Sequence, residues 1–227
     1  MNNAEQWIRI SEGCPNNCGF CHETKENGSG EIYLPIPKIE RNLVKIMDMN
    51  LTYKSRFIEI ADFLGAQTVN GKVVKYELIC GIDYRYMTQD KADALKRNRF
   101  VNIRLAWDHA YLEQKRIKST VDMLKKSGYG KGDISVFMIC NWKRSFEENC
   151  KKVDLCKVWN VKVVDCFFDN QLKPNVLPIH WTQDEIDKFR KICRKHNHLV
   201  NFGIDPELDC NQRELFQTEN PVEVLHE

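Results

Sequence analysis

Short apolar runs alternate with longer amphipathic stretches over most of this chain, the pattern of repeated strand–helix units. Residues 7–11 predict a first strand that runs straight into a cysteine-bearing loop. Residues 22–37 read as a polar connection marked by glycine and proline, with a short helix over 38–42. Further strands are predicted at 44–49, 73–80, 100–107, 134–140 and 161–168. Helices are predicted at 54–64, 89–98, 112–127, 146–159 and 182–196. Local punctuation supports these boundaries. Gly71 marks a turn, Thr88 and Thr182 stand at N-cap positions, and Asp90, Asp184 and Glu185 fall in first turns where the helix dipole favours them. Gly128 suits a C-cap, and Pro174 and Pro178 break the loop before the last helix.

Strand parity adds a second layer. In the fourth strand Val101, Ile103, Leu105 and Trp107 share one face, while Asn102, Arg104, Ala106 and Asp108 share the other. Helices packed outside a barrel require the apolar set to face outward, so the polar set faces in. Arg9 and Ser11 in the first strand and Glu77 in the third repeat this theme. A filled eight-stranded barrel packs branched apolar residues inside. Polar inward positions predict an incomplete, wider barrel with a lined cavity.

The chain has 227 residues, 42% of them hydrophobic, enough for a full core in one domain. Eight strand–helix units need about 250 residues, so six suit this length better. The expected organisation is one domain over 1–227, with a barrel core over about 6–200 and an acidic tail over about 201–227. A formal net charge of +2 does not by itself imply a nucleic-acid or membrane partner. No apolar run is long enough to span a bilayer, and the N-terminus lacks the pattern of a signal peptide, so a cytoplasmic location is expected. In that reducing compartment ten cysteines read as metal ligands plus buried thiols. Cys80, Cys140 and Cys166 fall on predicted strands near one another and are expected as buried thiols, as is Cys193.

Three cysteines stand apart. Cys14, Cys18 and Cys21 lie in the run SEGCPNNCGFCH from Ser11 to His22, spaced C-x3-C-x2-C. Three thiolates on one short loop suit three irons of a cubane [4Fe–4S] cluster and leave the fourth iron open. A structural zinc site wants four closed ligands, which His22, adjacent to Cys21, is poorly placed to complete. An electron-carrier loop wants a fourth cysteine.

The motif, the aromatic Phe20 just before the third cysteine, and the six-unit pattern together resemble the radical S-adenosylmethionine (SAM) superfamily. The middle of the chain is most similar to the core of its methylthiotransferases and cobalamin-dependent members. The segments IMDMNLT from Ile46, CGIDYR from Cys80 and NIRLAWD from Asn102 carry that likeness. The resemblance implies an α/β fold, a partial (β/α)6 TIM-type barrel of parallel strands with outer helices. It implies Cys14, Cys18 and Cys21 as cluster ligands, and Phe20, Asp48, Asn50, Arg104 and Asp108 as contacts to SAM, with Arg104 a candidate partner for the SAM carboxylate. The implied activity is reductive cleavage of SAM to a 5′-deoxyadenosyl radical that abstracts hydrogen from a substrate. The implied partners are a flavodoxin- or ferredoxin-type one-electron reductant and a substrate that is a nucleotide or nucleic acid, a peptide or a small metabolite. No membrane partner is expected.

The chain departs from the family pattern. No Gly-Gly-Glu follows the second strand, where Met47-Asp-Met-Asn50 stands instead, and Asp108 replaces a common Glu-Ser. No cobalamin-binding, RNA-binding or cysteine-rich accessory module is visible. Plainer readings stay open for single residues: Asp108 as a helix cap, and Arg104 in an inward ion pair with Glu77 or Asp165. Basic groups at Lys96–Arg99, Lys125–Lys126 and Arg194–Lys195 read as solvated helix ends. For the whole chain, the competing readings are a non-catalytic [4Fe–4S] electron-transfer or scaffold protein and a zinc-stabilised binding module.

Overall fold

Six parallel strands follow one another in chain order: β1 (Gln6–Ile8), β2 (Leu43–Ile46), β3 (Lys75–Leu78), β4 (Ile103–Ala106), β5 (Ile134–Ile139) and β6 (Lys162–Cys166). They are seen in a computed structural model that describes residues 5–168 and 181–202. Register is continuous across β1, β2 and β3, with Ile8 opposite Ile46 and Ile46 opposite Leu78. It is continuous again across β4, β5 and β6, with Ala106 opposite Phe137 and Ile139 opposite Cys166. The two groups join through a bridge from Tyr76 to Phe100 and through Ile82–Asp83, which pairs with Leu105 and Ala106.

Helices α2 (Phe57–Gly65), α3 (Gln89–Arg97), α4 (Gln114–Lys126), α5 (Phe146–Val158) and α6 (Gln183–Phe202) follow β2 to β6, while α1 (Glu23–Asn27) is a short turn of helix after the cysteines. Thr88 Oγ1 accepts the Lys91 amide and Ser145 Oγ accepts that of Glu148, satisfying amides that a helix start leaves unpaired. Thr182 and Glu185 exchange hydrogen bonds as a capping box at the start of α6.

The parity argument holds across the sheet. Ile8, Val44, Ile46, Tyr76, Leu78, Ile103, Leu105, Val136, Met138 and Val163 are all buried beneath the helices. The alternate positions are mixed: Lys45 pairs with Glu5 at 2.6 Å, and Glu77 accepts from Asn102 at 2.6 Å. Core burial of each large apolar side chain contributes about 1.5–3 kcal/mol, so the outward stripe stabilises the barrel and leaves its interior free to be polar.

β3 is shorter than predicted because it breaks at 79–81. Gly81 adopts φ +83°, and a Cβ there would lie 2.8 Å from the Arg104 carbonyl oxygen. That close approach shifts the following segment onto β4 and turns residues 80–85 into the barrel mouth. Other expectations are corrected. β1 ends at Ile8, and Ser11–Glu12 instead pairs antiparallel with Ile32–Tyr33. Residues 38–42 form no helix, α1 lies inside the polar connection of residues 22–37, and α6 runs on to Phe202. A small ladder of Thr68–Val69 with Lys72–Val73 closes around Asn70 and Gly71, both at positive φ. Among the described residues no helix is long and apolar enough to cross a membrane. The Pro174–Pro178 loop, Cys210 and the acidic tail lie outside the described residues.

Candidate functional site

The cysteine loop begins where β1 ends and is braced by buried charge. Glu23, from α1, accepts hydrogen bonds from the Gly13 amide at 2.9 Å, from Arg9 Nη2 at 2.8 and 3.0 Å, and from Asn27 at 3.1 Å. Lys54 is almost wholly buried, and its Nζ donates to the carbonyls of Glu12, Gly13 (2.7 Å) and Gly30 (3.4 Å). A lysine so placed collects three acceptors that the turn leaves without partners. Burial lowers the Lys54 pKa, against the attraction of Glu31 and Asp48. Gly13 sits at φ +80°, with no room for a Cβ against Gly30. Thr24 Oγ1 donates to the carbonyls of Cys14 (3.0 Å) and Asn16 (2.7 Å), and the Cys14 amide to that of Gly28 (3.1 Å).

All three loop cysteines line one cavity of about 350 Å³ at the C-terminal end of the strands. That volume lies within the roughly 300–1,000 Å³ of small-molecule sites. One wall comes from the loop itself, with Asn16, Phe20 and His22. A second comes from Met49 and Asn50 after β2 and from residues 80–85 after the broken β3. The floor is Ala106 at the end of β4, Asp108 and His109 after it, and Phe137 and Ile139 of β5. Among the described residues no three His, Cys, Asp or Glu side chains converge on a single ion. The loop thiols instead share a cavity, and a cubane cluster takes each thiolate on a different iron. The donor set therefore fits a [4Fe–4S] cluster.

The polar groups around these thiols are interlocked. Asn50 Nδ2 donates to Cys14 Sγ at 3.6 Å and to Asp83 at 3.4 Å. Asp83 also accepts from Asn16 Nδ2 at 2.5 Å, and from Arg85 through its amide (3.0 Å), Nε (2.8 Å) and Nη2 (2.8 Å). Tyr86 completes the set by donating to Asn16 Oδ1 at 3.1 Å. Burial raises the Cys18 pKa, while the charge and hydrogen bond of Arg85 pull it down.

Asp108 Oδ1 accepts the Ile139 amide at 2.8 Å. Burial pushes its pKa up to about 6, with Lys152 acting in the opposite sense. Lys152 is buried behind it and donates to the carbonyls of Trp107 (3.2 Å) and His109 (2.8 Å); burial pulls its pKa to about 8. The His109 pKa is lowered, chiefly by burial and then by Arg85. Phe20 is held edge-on to Trp142, whose ring packs 4.6 Å from that of Phe168. Gly19 makes this approach feasible, because a Cβ there would lie 3.0 Å from the Trp142 ring. Asn141 and Phe168 exchange hydrogen bonds at 2.6 and 3.1 Å, tying the ends of β5 and β6 behind the aromatic group.

Of the residues expected at the cofactor, Phe20, Asn50 and Asp108 line the cavity with the three cysteines, whereas Asp48 and Arg104 do not. Asp48 is buried, accepting from the Ile10 amide at 2.9 Å and Ser11 Oγ at 2.5 Å, so it fastens β2 to the start of the loop. Arg104 donates to the Ile79 carbonyl at 3.1 Å and faces Glu77 at 3.7 Å. The guanidinium thus meets the main chain at the break in β3 and takes up the inward pairing with Glu77. Cys80 was expected buried, yet it is exposed and lines the cavity, with Sγ 3.4 Å from the Met47 carbonyl. Cys140 and Cys193 are buried as expected, whereas Cys166, also expected buried, is only half-buried at the end of β6; the Cys140 amide bonds its carbonyl at 2.8 Å.

Sequence reasoning assigned no role to Glu23, Lys54, Asp83 or Arg85. The last two lie in the CGIDYR segment, where an acid and a base two residues apart just after a strand were the available signal. Lys54 carries no such mark because its partners are main-chain carbonyls, and Glu23 because Arg9 and Gly13 lie 14 and 10 residues away in the chain.

No protein-family model and no curated protein matches the sequence. Solved structures do match. TsrM from Kitasatospora setae, a radical SAM methyltransferase with cobalamin and a [4Fe–4S] cluster bound, aligns with a TM-score of 0.54 at 11% identity, over 71% of this chain and 36% of that one. Coproporphyrinogen III oxidase (HemN) from Escherichia coli, a radical SAM enzyme, aligns with a TM-score of 0.59 at 10% identity, over 83% of this chain and 51% of that one. This chain therefore spans about a third to a half of the length of these proteins. The fold it shares with them is the partial TIM-type barrel of radical SAM enzymes.

Proposed function

We propose that this chain is a radical SAM enzyme whose cluster loop is Cys14, Cys18 and Cys21. The observation that carries the reading is convergence. Three thiols from one loop, Asn50 from the end of β2 and Asp108 from the end of β4 line a single cavity on the barrel that such enzymes share. A cluster held by the three thiolates would leave one iron open to the amino and carboxylate groups of SAM and, once reduced by an external flavodoxin- or ferredoxin-type donor, supply the electron that cleaves the sulfonium to a 5′-deoxyadenosyl radical.

The chain's own residues bind, orient and shield. Asn50 donates to the Cys14 sulfur, and hydrogen bonds of this kind orient a ligand and tune its metal. Phe20, fixed against Trp142, offers an apolar face suited to the adenine. Asp108 presents an acceptor at the cavity floor for hydroxyl or amine donors. No Gly-Gly-Glu follows β2; of the segment that stands in its place, Met49 and Asn50 line the cavity. Phe137, Ile139 and the Phe20–Trp142–Phe168 group exclude water from a radical, which would otherwise react with stray donors. The substrate class stays open between nucleotide or nucleic acid, peptide and small metabolite, because specificity resides in the mouth and not in the fold.

Anaerobic reconstitution with iron and sulfide, followed by dithionite and SAM, tests the proposal. Formation of 5′-deoxyadenosine and methionine supports it. A cluster without SAM cleavage favours the electron-transfer or scaffold reading. Zinc at one per chain with no visible sulfur-to-iron absorption favours the zinc module.

A further inference from the structure

Arg85 belongs to neither the cysteine motif nor the expected cofactor contacts, yet it is a cation built into the wall of the cysteine cavity. It lines the same cavity as Cys14, Cys18 and Cys21. Its Nε and Nη2 edge grips Asp83 at 2.8 Å on each of two bonds. Asp83 is itself pinned by Asn16, which lies between Cys14 and Cys18, and by Asn50, which also touches Cys14. The guanidinium therefore has little freedom to swing away. The guanidinium faces the same cavity as Cys14, Cys18 and Cys21, and the Asp83–Asn50 link ends on the Cys14 sulfur. Arginine stays protonated at any working pH, so this is a permanent positive charge.

We propose that Arg85, held by Asp83, is a positioning residue that raises the reduction potential of a cluster bound to Cys14, Cys18 and Cys21. The inference rests on the function proposed above. Its physical basis is that one-electron reduction adds a negative charge to a site already rich in thiolate. A fixed cation in the wall of the cavity that holds the ligand sulfurs stabilises the reduced state more than the oxidised one. Asp83 opposes this effect, but its carboxylate is already taken up by donors from Asn16, Asn50 and Arg85, which disperse its charge. The same network ties the loop to the strand end after β3, so cation and sulfur keep a fixed separation.

The test is an EPR-monitored redox titration, without SAM, of the reconstituted full chain and of Arg85→Gln and Arg85→Lys, with iron and sulfide determined for each. The expected result is full iron occupancy in all three, a lower midpoint potential in Arg85→Gln, and most of that loss restored in Arg85→Lys, which keeps the charge. Omitting SAM keeps any part of Arg85 in cofactor binding out of the readout. An Arg85→Gln midpoint equal to wild type at full occupancy overturns this proposal and leaves the enzyme reading intact. Loss of iron from both variants overturns it in favour of a structural brace. A wild-type chain that takes up no iron overturns the enzyme reading, and this proposal with it.

Discussion

Replacing Asp108 with asparagine should stabilise the fold at neutral pH and do nothing near pH 4. The carboxyl accepts the Ile139 amide through Oδ1, a bond that an asparagine Oδ1 keeps. Burial pushes the Asp108 pKa from the ordinary 3.8 to about 6 in the fold. Between these values the unfolded chain releases a proton that the folded chain retains. The protonated group's contribution to stability is therefore complete below pH 3.8 and is lost as pH rises through about 6. A gap of that size corresponds to about 3 kcal/mol at most. Part of the carboxyl surface opens onto the cavity and is screened by its water, so about 1–3 kcal/mol is the working range. The carboxamide of the Asp108→Asn variant never ionises and avoids this loss. Urea unfolding of the reduced, anaerobic full chain from pH 4 to 7.5 isolates the effect as the difference between variant and wild type. That difference should be near zero at pH 4, grow through pH 5–6 and level off by pH 7. The range stops below the Lys152 transition at about 8. A constant offset across the range, or a wild type more stable than Asp108→Asn at pH 7, refutes the argument that burial dominates at this site.

The remaining predictions concern the loop. Lys54→Met keeps the length of the side chain but leaves the carbonyls of Glu12, Gly13 and Gly30 without their donor; a loss of about 2–3 kcal/mol in urea unfolding is expected, with reduced iron uptake. Gly13→Ala forces a side chain into the left-handed region against Gly30 and should cost about 1–3 kcal/mol, read as a lower melting temperature and incomplete reconstitution. Cys18→Ala should abolish cluster retention, whereas Cys193→Ala, a small deletion in the core, should cost about 1 kcal/mol and retain full iron. Equal iron loss in those two variants contradicts the ligand assignment.

The strand–helix alternation was legible because each period is a local property. Apolar spacing marks the face a segment must bury, whatever it packs against. The inward polar face of β4 was legible for the same reason, as were the caps Thr88 and Thr182, which act within one helical turn. The extent of β3 was not, since its break depends on the approach of Gly81 to the Arg104 carbonyl on the neighbouring strand. Arg104 illustrates the cost. Its inward orientation followed from parity, but its engagement with Ile79 and Glu77 followed from a gap that parity does not see. Cys80 was misjudged by the same break, which carries it out of the strand and onto the cavity.

By itself the sequence determined the six strand–helix units, the C-x3-C-x2-C loop that follows the first of them, and a polar barrel interior. These rest on periodicity and on ligand spacing within a few residues. Only the tertiary structure decided which polar groups meet those thiols. It set Asn50, Asp83 and Arg85 around the cysteines and withdrew Asp48 and Arg104 into structural bonds. It also placed Lys54 and Glu23 beneath the loop. Strand ends far apart in the chain become neighbours only when the sheet curves, and hydrogen bonds to main-chain atoms leave no pattern in the residues that receive them.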